Sequence, residues 1–374
     1  MGVRCIARKQ VAMDDIFPKT PPGPTFTLSP VFIEFLAYWL EFGKFEGADW
    51  FNQISEEPVR GWRDMVERAE ERLQRLLLDG RALKIIDRSH TWFEALLSGE
   101  RHALDALHER FHFIPVIGIP RTGGSYLTAE LFSAIGYSKE GIHSAIAHDG
   151  FPDARPFWLR QGNNSWVSTL AAVAQYVTTV ELFFGSTSRV PAIVPKKATK
   201  AIYAPGLFRA IFGRRAEYIV TVRHPIASCI STYEKSGGFP AGGVFKLRST
   251  MEQWIQRDIL LMGVNRSELA DMEYFEAYIR YWEHFHIRMA MSGLLTSKRC
   301  TIVPCCKERM EEMASTLHGR FKSERAVERF VANGHTMEKH PGWIARSEEA
   351  LLRVNDVWQS FGARFPLREV QNCS

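Results

Sequence analysis

The apolar positions change their spacing near Phe113, and that change splits the sequence into two characters. Before it they recur at helical intervals. SPVFIEFLAYWLEF predicts one helix, with Ser29 as cap and Pro30 in the first turn. EPVRGWRDMVERAEERLQRLLLDG predicts a second, rich in Arg/Glu pairs and stopping at Gly80. SHTWFEALLSGERHALDALHERF predicts one or two more. Residues 1–28 are Pro-rich and aperiodic and read as a loose arm. After Phe113, short apolar runs alternate with helical patterns. FIPVIGIP, AIVP, EYIVTV and CTIVPC read as strands. YLTAELFSAIG and PIASCISTYEKSGG read as helices, and KKATKAIYAPGLFRAIFG as a mainly helical crossover. This alternation predicts an α/β fold, a parallel sheet flanked by helices with right-handed crossovers. The expected division is 1–110, arm and helical extension, and 111–374, a catalytic domain.

Composition narrows the class. The 374 residues are 45% hydrophobic and 24% charged, as in a soluble globular protein. The net charge of +5 is mildly basic and comes without a dense Lys/Arg run interleaved with aromatics; it does not mark a nucleic-acid binder, and a positive pocket for an anion produces the same balance. The six cysteines form no C-x-x-C pair and no His cluster stands at zinc spacing, so free thiols in a reducing compartment and no metal are expected. MGVRCIARKQVAMDD lacks the apolar core of a signal peptide. Trp166 to Phe184 is the most membrane-like stretch, but Gln175, Glu181 and several Thr interrupt it, and it reads as a buried helix. A cytoplasmic protein without a transmembrane segment is the expectation.

Two motifs carry chemistry. Gly118-Ile-Pro-Arg-Thr-Gly-Gly-Ser125 has the frame of a phosphate-binding loop, G-x-x-x-x-G-K-[ST], between a strand and a helix. Gly124 stands where that frame has Lys, and EYIVTV ends in Arg223 rather than an Asp for magnesium. Backbone N–H groups still cradle phosphate in such a loop, but a Mg-triphosphate needs the Lys and the Asp. The second motif, Arg223-His-Pro-Ile-Ala-Ser-Cys-Ile-Ser231, runs from a strand end onto a helix. Ligands of open α/β sheets bind at that end, and Arg223 offers a planar, permanently charged fork.

Together the motifs resemble the PAPS-dependent sulfotransferase family, which moves a sulfuryl group from 3′-phosphoadenosine 5′-phosphosulfate (PAPS). Pro120-Arg121-Thr122-Gly123-Gly124-Ser125 is similar to its 5′-phosphosulfate loop, and Arg223, Pro225 and Ser231 match its 3′-phosphate motif. The likeness runs from about Phe113 to Leu295 and looks closer to the bacterial and tyrosylprotein branch. It implies the P-loop-like sulfotransferase fold and nucleotide contacts from Arg121, Thr122, Gly123, Gly124, Ser125, Arg223 and Ser231. Tyr126 stands where relatives stack a Trp on the adenine; core packing is the equal alternative. A Lys at the end of the preceding strand is also implied. Lys197 sits best, with Lys196 beside it, to neutralise the leaving phosphate of adenosine 3′,5′-bisphosphate (PAP).

Departures are visible. His224 replaces Asp or Asn, which tunes the turn, and Gly124 replaces a hydroxyl residue. The family's C-terminal basic segment is not recognisable; Lys339 to Trp343 is a stand-in. The general base stays open among His143, Glu140, His148 and Asp149, with His143 nearest the expected place. His284 and His286 read as parts of a helix face. The acceptor is unread; regions 137–190 and 236–270, with Phe151, Phe157, Trp158, Phe239 and Phe245, are expected to frame its pocket. A nucleotide kinase with a degenerate loop and a non-catalytic scaffold remain as other readings.

Overall fold

Ser29 and Pro30 open the first helix as expected. The structure is a computed structural model and describes residues 26–43, 58–138, 141–142, 144–149, 151–152, 162–331 and 340–373. The Ser29 hydroxyl accepts from the Phe32 N–H at 3.4 Å, and Gly43 ends the helix in the left-handed conformation. In chain order the elements are α1 (Pro30–Phe42), α2 (Pro58–Leu76), α3 (Gly80–Ser98), α4 (Arg101–Arg110), β1 (Phe111–Ile117), α5 (Gly124–Ala134), α6 (Ser144–Ala147) and α7 (Gly162–Phe184). Then come β2 (Ala192–Lys197), a 3₁₀ turn (Thr199–Tyr203), α8 (Pro205–Phe212), β3 (Tyr218–Val222), α9 (Pro225–Lys235), α10 (Thr250–Leu261) and α11 (Arg266–Asp271). The chain continues with α12 (Tyr274–Met291), β4 (Cys300–Pro304), α13 (Lys307–Phe321), α14 (Pro341–Ser360) and α15 (Leu367–Asn372).

Gly80 starts a helix instead of stopping one. α2 ends at Leu76, and Asp79 caps α3 by accepting from the Arg81 N–H at 2.7 Å. A carboxylate just before a helix satisfies an orphan N–H, and this outweighs the stop signal of a glycine.

The chain packs as two units. One comprises Met1–His112 and Tyr137–Val194, the other Phe113–Gly136 and Pro195–Ser374. In the first, α7 packs along α3. The residues that interrupt its apolar character hold it in place. Gln175, fully buried, accepts from the Ser29 N–H at 2.8 Å and donates to the Thr27 carbonyl at 2.6 Å. Glu181 accepts from Arg88 at 2.9 and 2.6 Å and from the Trp92 indole at 3.0 Å. Among the described residues, Val167–Phe184 is the one window long and apolar enough to cross a membrane; 78% of it is buried, as in the core helix of a soluble protein. The interval 137–190, expected to help frame the acceptor pocket, contains α6 and the long α7. In 236–270 the irregular part is confined to the stretch before α10 and the link to α11.

The sheet has four parallel strands in the order β2-β1-β3-β4 with helices around it. Val116 stands opposite Ile219, and Val222 opposite Pro304. β3 reads YIVTV and is buried throughout, the near-continuous run that a strand covered on both faces requires. The chain leaves β1 to one side for β2 and leaves β3 to the other side for β4. The strand order reverses between β1 and β3, and the segments following these two strands lie in hydrogen-bond contact.

Candidate functional site

The loop after β1 is shaped by close backbone approach. A β-carbon on Gly118 would collide with the hydroxyls of Thr221 and Thr122 and with the Thr221 carbonyl. The Thr122 hydroxyl donates to the Ile119 carbonyl at 2.8 Å and lies 2.8 Å from the Thr221 hydroxyl. Thr199 donates to the Gly118 carbonyl at 2.7 Å. Three threonines from three segments thus fasten the loop. Thr122, expected at the nucleotide, is fully buried, and its side chain is spent on this lock. Thr221 and Thr199 escaped the sequence analysis; for Thr221 a lone Thr inside a buried strand run was the signal available.

On either side of Thr122 the backbone enters the left-handed region, at Arg121 (φ 72°) and Gly123 (φ 83°). Glycine takes that conformation freely, and an arginine does not. At Gly123 a β-carbon would also strike the Met310 methyl and touch the Cys305 sulfur at 3.4 Å. α5 begins at Gly124, so its first N–H groups have no intrahelical acceptor, and Gly123 has no side chain to cap them. Ser125 is exposed on this turn, beside the buried Gly124. A β-carbon at Gly124 would lie 3.5 Å from Lys197 Cε. The end of β2 thus brings a lysine stem alongside the loop position that lacks one. Lys197 is half-buried, whereas Lys196 points into the interior at 2% exposure.

The second motif arrives beside the first. Arg223 follows β3, is 9% exposed, and donates from Nη1 to the Arg121 carbonyl at 3.0 Å. Its own carbonyl accepts from the Trp282 indole at 3.0 Å. Arg121 donates from Nε to the Ser231 hydroxyl at 2.9 Å, and Ser231 is buried in α9. Arg121 is exposed overall and makes no ion pair with a described carboxylate. Desolvation of its guanidinium, and then repulsion from Arg223, hold its pKa below the usual arginine value. A guanidinium stays charged through such a shift, so the two arginines form a cationic seat suited to an oxyanion.

His224 caps α9, its Nδ1 accepting from the Ile226 N–H at 3.2 Å, in keeping with a role in the turn. Burial pushes its pKa down to about 4. His286 of α12, bonded to the Trp282 carbonyl, is likewise pushed down to about 4 by burial. Both rings fold neutral, whereas an unfolded histidine titrates near 6.5. The unfolded chain then binds more protons between those values. Stability is full above about pH 6.5 and falls as pH drops toward 4, by on the order of 3 kcal/mol per ring. His224→Asn keeps a cap that cannot titrate. Urea midpoints measured from pH 7 to 4 should show a shallower acid limb in this variant than in the parent; an unchanged limb contradicts the assignment.

The remaining expected positions fall in three places. Tyr126 is tied down by packing: its hydroxyl donates to the Glu328 carbonyl at 2.7 Å and its ring lies 4.9 Å from Phe330. His143, Glu140, Phe157, Trp158 and Lys339 lie outside the described residues. His148 and Asp149 belong to the first unit, with Asp149 buried. Phe151 is buried edge-on to Tyr176, Phe245 is stacked on Tyr274, and Phe239 remains 43% exposed. His340 stacks on Trp343 at 3.9 Å, and Trp343 on Phe275 at 4.3 Å, so the described part of the 339–343 segment is anchored through aromatic rings. Two histidine–carboxylate pairs were not foreseen: His318 with Glu130 at 3.1 Å, and His284 with Asp258 at 2.7 Å. In the second, Tyr203 adds a bond to Asp258 at 2.6 Å and Arg288 one to His284 at 2.9 Å.

Among the described residues no group of three or more His, Cys, Asp or Glu gathers as metal ligands would. Compared with protein-family models, with curated proteins and with solved structures, the chain matches none.

Proposed function

We propose that the chain is a sulfotransferase that carries the sulfuryl group of PAPS to a hydroxyl or amine of an acceptor, in the cytoplasm. The observation that carries this reading is the meeting of Arg121, Arg223 and Ser231 at the switch point of the sheet, with Lys197 beside the first turn of α5. Such a seat holds phosphates by fixed N–H dipoles and guanidinium groups and requires no magnesium. The free cysteines among the described residues suit a reducing compartment.

In the proposed reaction the acceptor oxygen or nitrogen attacks sulfur in line. The bond between sulfur and the 5′-phosphate oxygen breaks, and PAP departs with that electron pair. Lys197 offsets the charge gathering on the departing phosphate, and Arg121 with the α5 N–H groups holds it in place. The acceptor proton passes to a general base, for which His143 is proposed, with Glu140, His148 and Asp149 as competitors.

PAP should bind with micromolar affinity or better, on the order of −8 kcal/mol, with a chelator present. Calorimetry measures this, and a labelled-PAPS transfer assay against an acceptor panel then identifies the product. Binding that requires Mg²⁺ would overturn the proposal in favour of a nucleotide kinase.

A further inference from the structure

Two thiols meet where α13 begins and α15 ends. Cys306 is the N-cap of α13, yet its side chain makes no capping bond there. Cys373 closes α15, and its N–H donates to the Glu369 carbonyl at 3.0 Å. The Cys373 thiol is hydrogen-bonded to the Cys306 sulfur. Charges from both helices surround the pair. Glu308 of α13 acts on Cys373, and Arg309 of α13 lies within electrostatic reach of both Cys306 and Glu369 of α15.

Access separates these two cysteines from the others described. Cys306 and Cys373 are partly exposed, whereas Cys229 and Cys305 are buried. Cys300 stands at the opposite end of β4 from Cys306. The two sulfurs also differ in character. Burial, and then the bond to Cys306, push the Cys373 thiol up to about 12, so Cys373 keeps its proton. A thiolate is the nucleophile, and Cys306 provides the accepting sulfur of the pair.

We propose that Cys306 and Cys373 form an oxidation site, at which a peroxide converts the two thiols into an intramolecular disulfide that fastens α15 to the start of α13. Cys306 gives its proton to solvent and its sulfur attacks one oxygen of hydrogen peroxide. The O–O bond breaks, hydroxide leaves and takes up a proton as water, and Cys306 becomes a sulfenic acid. The Cys373 sulfur then attacks the Cys306 sulfur. The S–O bond breaks, and the hydroxyl leaves with the Cys373 proton as a second water. Two electrons pass from the sulfurs to the peroxide, and a dithiol reductant reverses the change. In a reducing compartment such a bond is transient, the form a redox-sensing pair takes. The crosslink spans α13, α14 and α15 and so restricts the unfolded chain. It also ties α15 to the end of the sheet, because Cys305, next to Cys306, donates its N–H to the Val222 carbonyl at 2.7 Å. The site is independent of the sulfotransferase reading and goes beyond it.

The test treats the full chain with hydrogen peroxide, alkylates the remaining thiols and maps the peptides by mass spectrometry without reduction. A monomer linked through Cys306 and Cys373 is expected, and dithiothreitol should release the link. The oxidised protein should show a higher urea midpoint than the reduced one. Cys373→Ser should leave Cys306 as a sulfenic acid that dimedone traps, and Cys306→Ser should leave Cys373 open to alkylation. Circular dichroism reports whether each variant is folded, and the map of the parent stands if either is not. Cys306 and Cys373 both alkylated after peroxide, or a link from either one to Cys305 or to a second copy of the chain, would overturn the site. A dimedone adduct on Cys373 in Cys306→Ser would overturn the order of attack, and a link without a shift of the midpoint would overturn the fastening.

Discussion

Lys197→Ala is expected to lower the turnover of sulfuryl transfer by about 10²–10³-fold, the usual cost of removing one fixed group that meets developing charge. PAP affinity should change much less, because the group acts on charge that appears as the S–O bond breaks. The expectation rests on place. Lys197 Cε lies 3.5 Å from where a side chain at position 124 would begin, which is where the phosphate-loop frame carries its own lysine. A second variant uses that coincidence. Gly124→Lys in the Lys197→Ala background puts an ammonium on the loop itself, and the vacated space accepts its stem. Partial recovery of turnover is expected there and not with Gly124→Leu. If Lys197→Ala turns over normally, the leaving phosphate is neutralised by another group, and Lys197 is a structural member of the β2 end.

Arg223→Ala is expected to weaken PAP binding tenfold or more, since a charged hydrogen bond is worth about 1.5–3 kcal/mol. The loss for adenosine 5′-phosphosulfate, which lacks the 3′-phosphate, should be smaller but not zero. Arg223 also donates to the Arg121 carbonyl and so supports the left-handed turn of the loop. Removing it leaves a strained arginine without that support. Arg223→Lys separates the two effects, because it restores a charge near the 3′-position without the fork that reaches the carbonyl. Equal losses for both ligands would show that Arg223 acts through the loop alone and that the 3′-phosphate is bound elsewhere.

Local signals carried much of this far. The spacing of apolar residues marked the helical extension, the buried character of the α7 segment and the strands of the sheet, because periodicity follows directly from which face an element buries. Gly118, Gly123 and the order of the two motifs were legible for a similar reason: a backbone that must turn tightly or approach another strand tolerates little except glycine. The cap of α3 at Asp79 was lost to the neighbouring Gly80, a conflict between two local signals that a sequence does not arbitrate.

What the sequence alone determined is the set of parts: a parallel α/β sheet, a lysine-free phosphate-type loop, and an arginine and a serine eight residues apart on the segment after a strand. Only the tertiary structure decided how they combine. Thr122 turned inward because Thr221, from a strand 99 positions away, presents a hydroxyl beneath the loop. Lys197 rather than Lys196 came to the loop because alternate residues of a strand face opposite sides. Arg121 met Ser231 because β1 and β3 are neighbours in the sheet, which brings the segments that follow them side by side. Contacts of this kind depend on register and strand order, which arise from long-range pairing and leave no local trace in the chain.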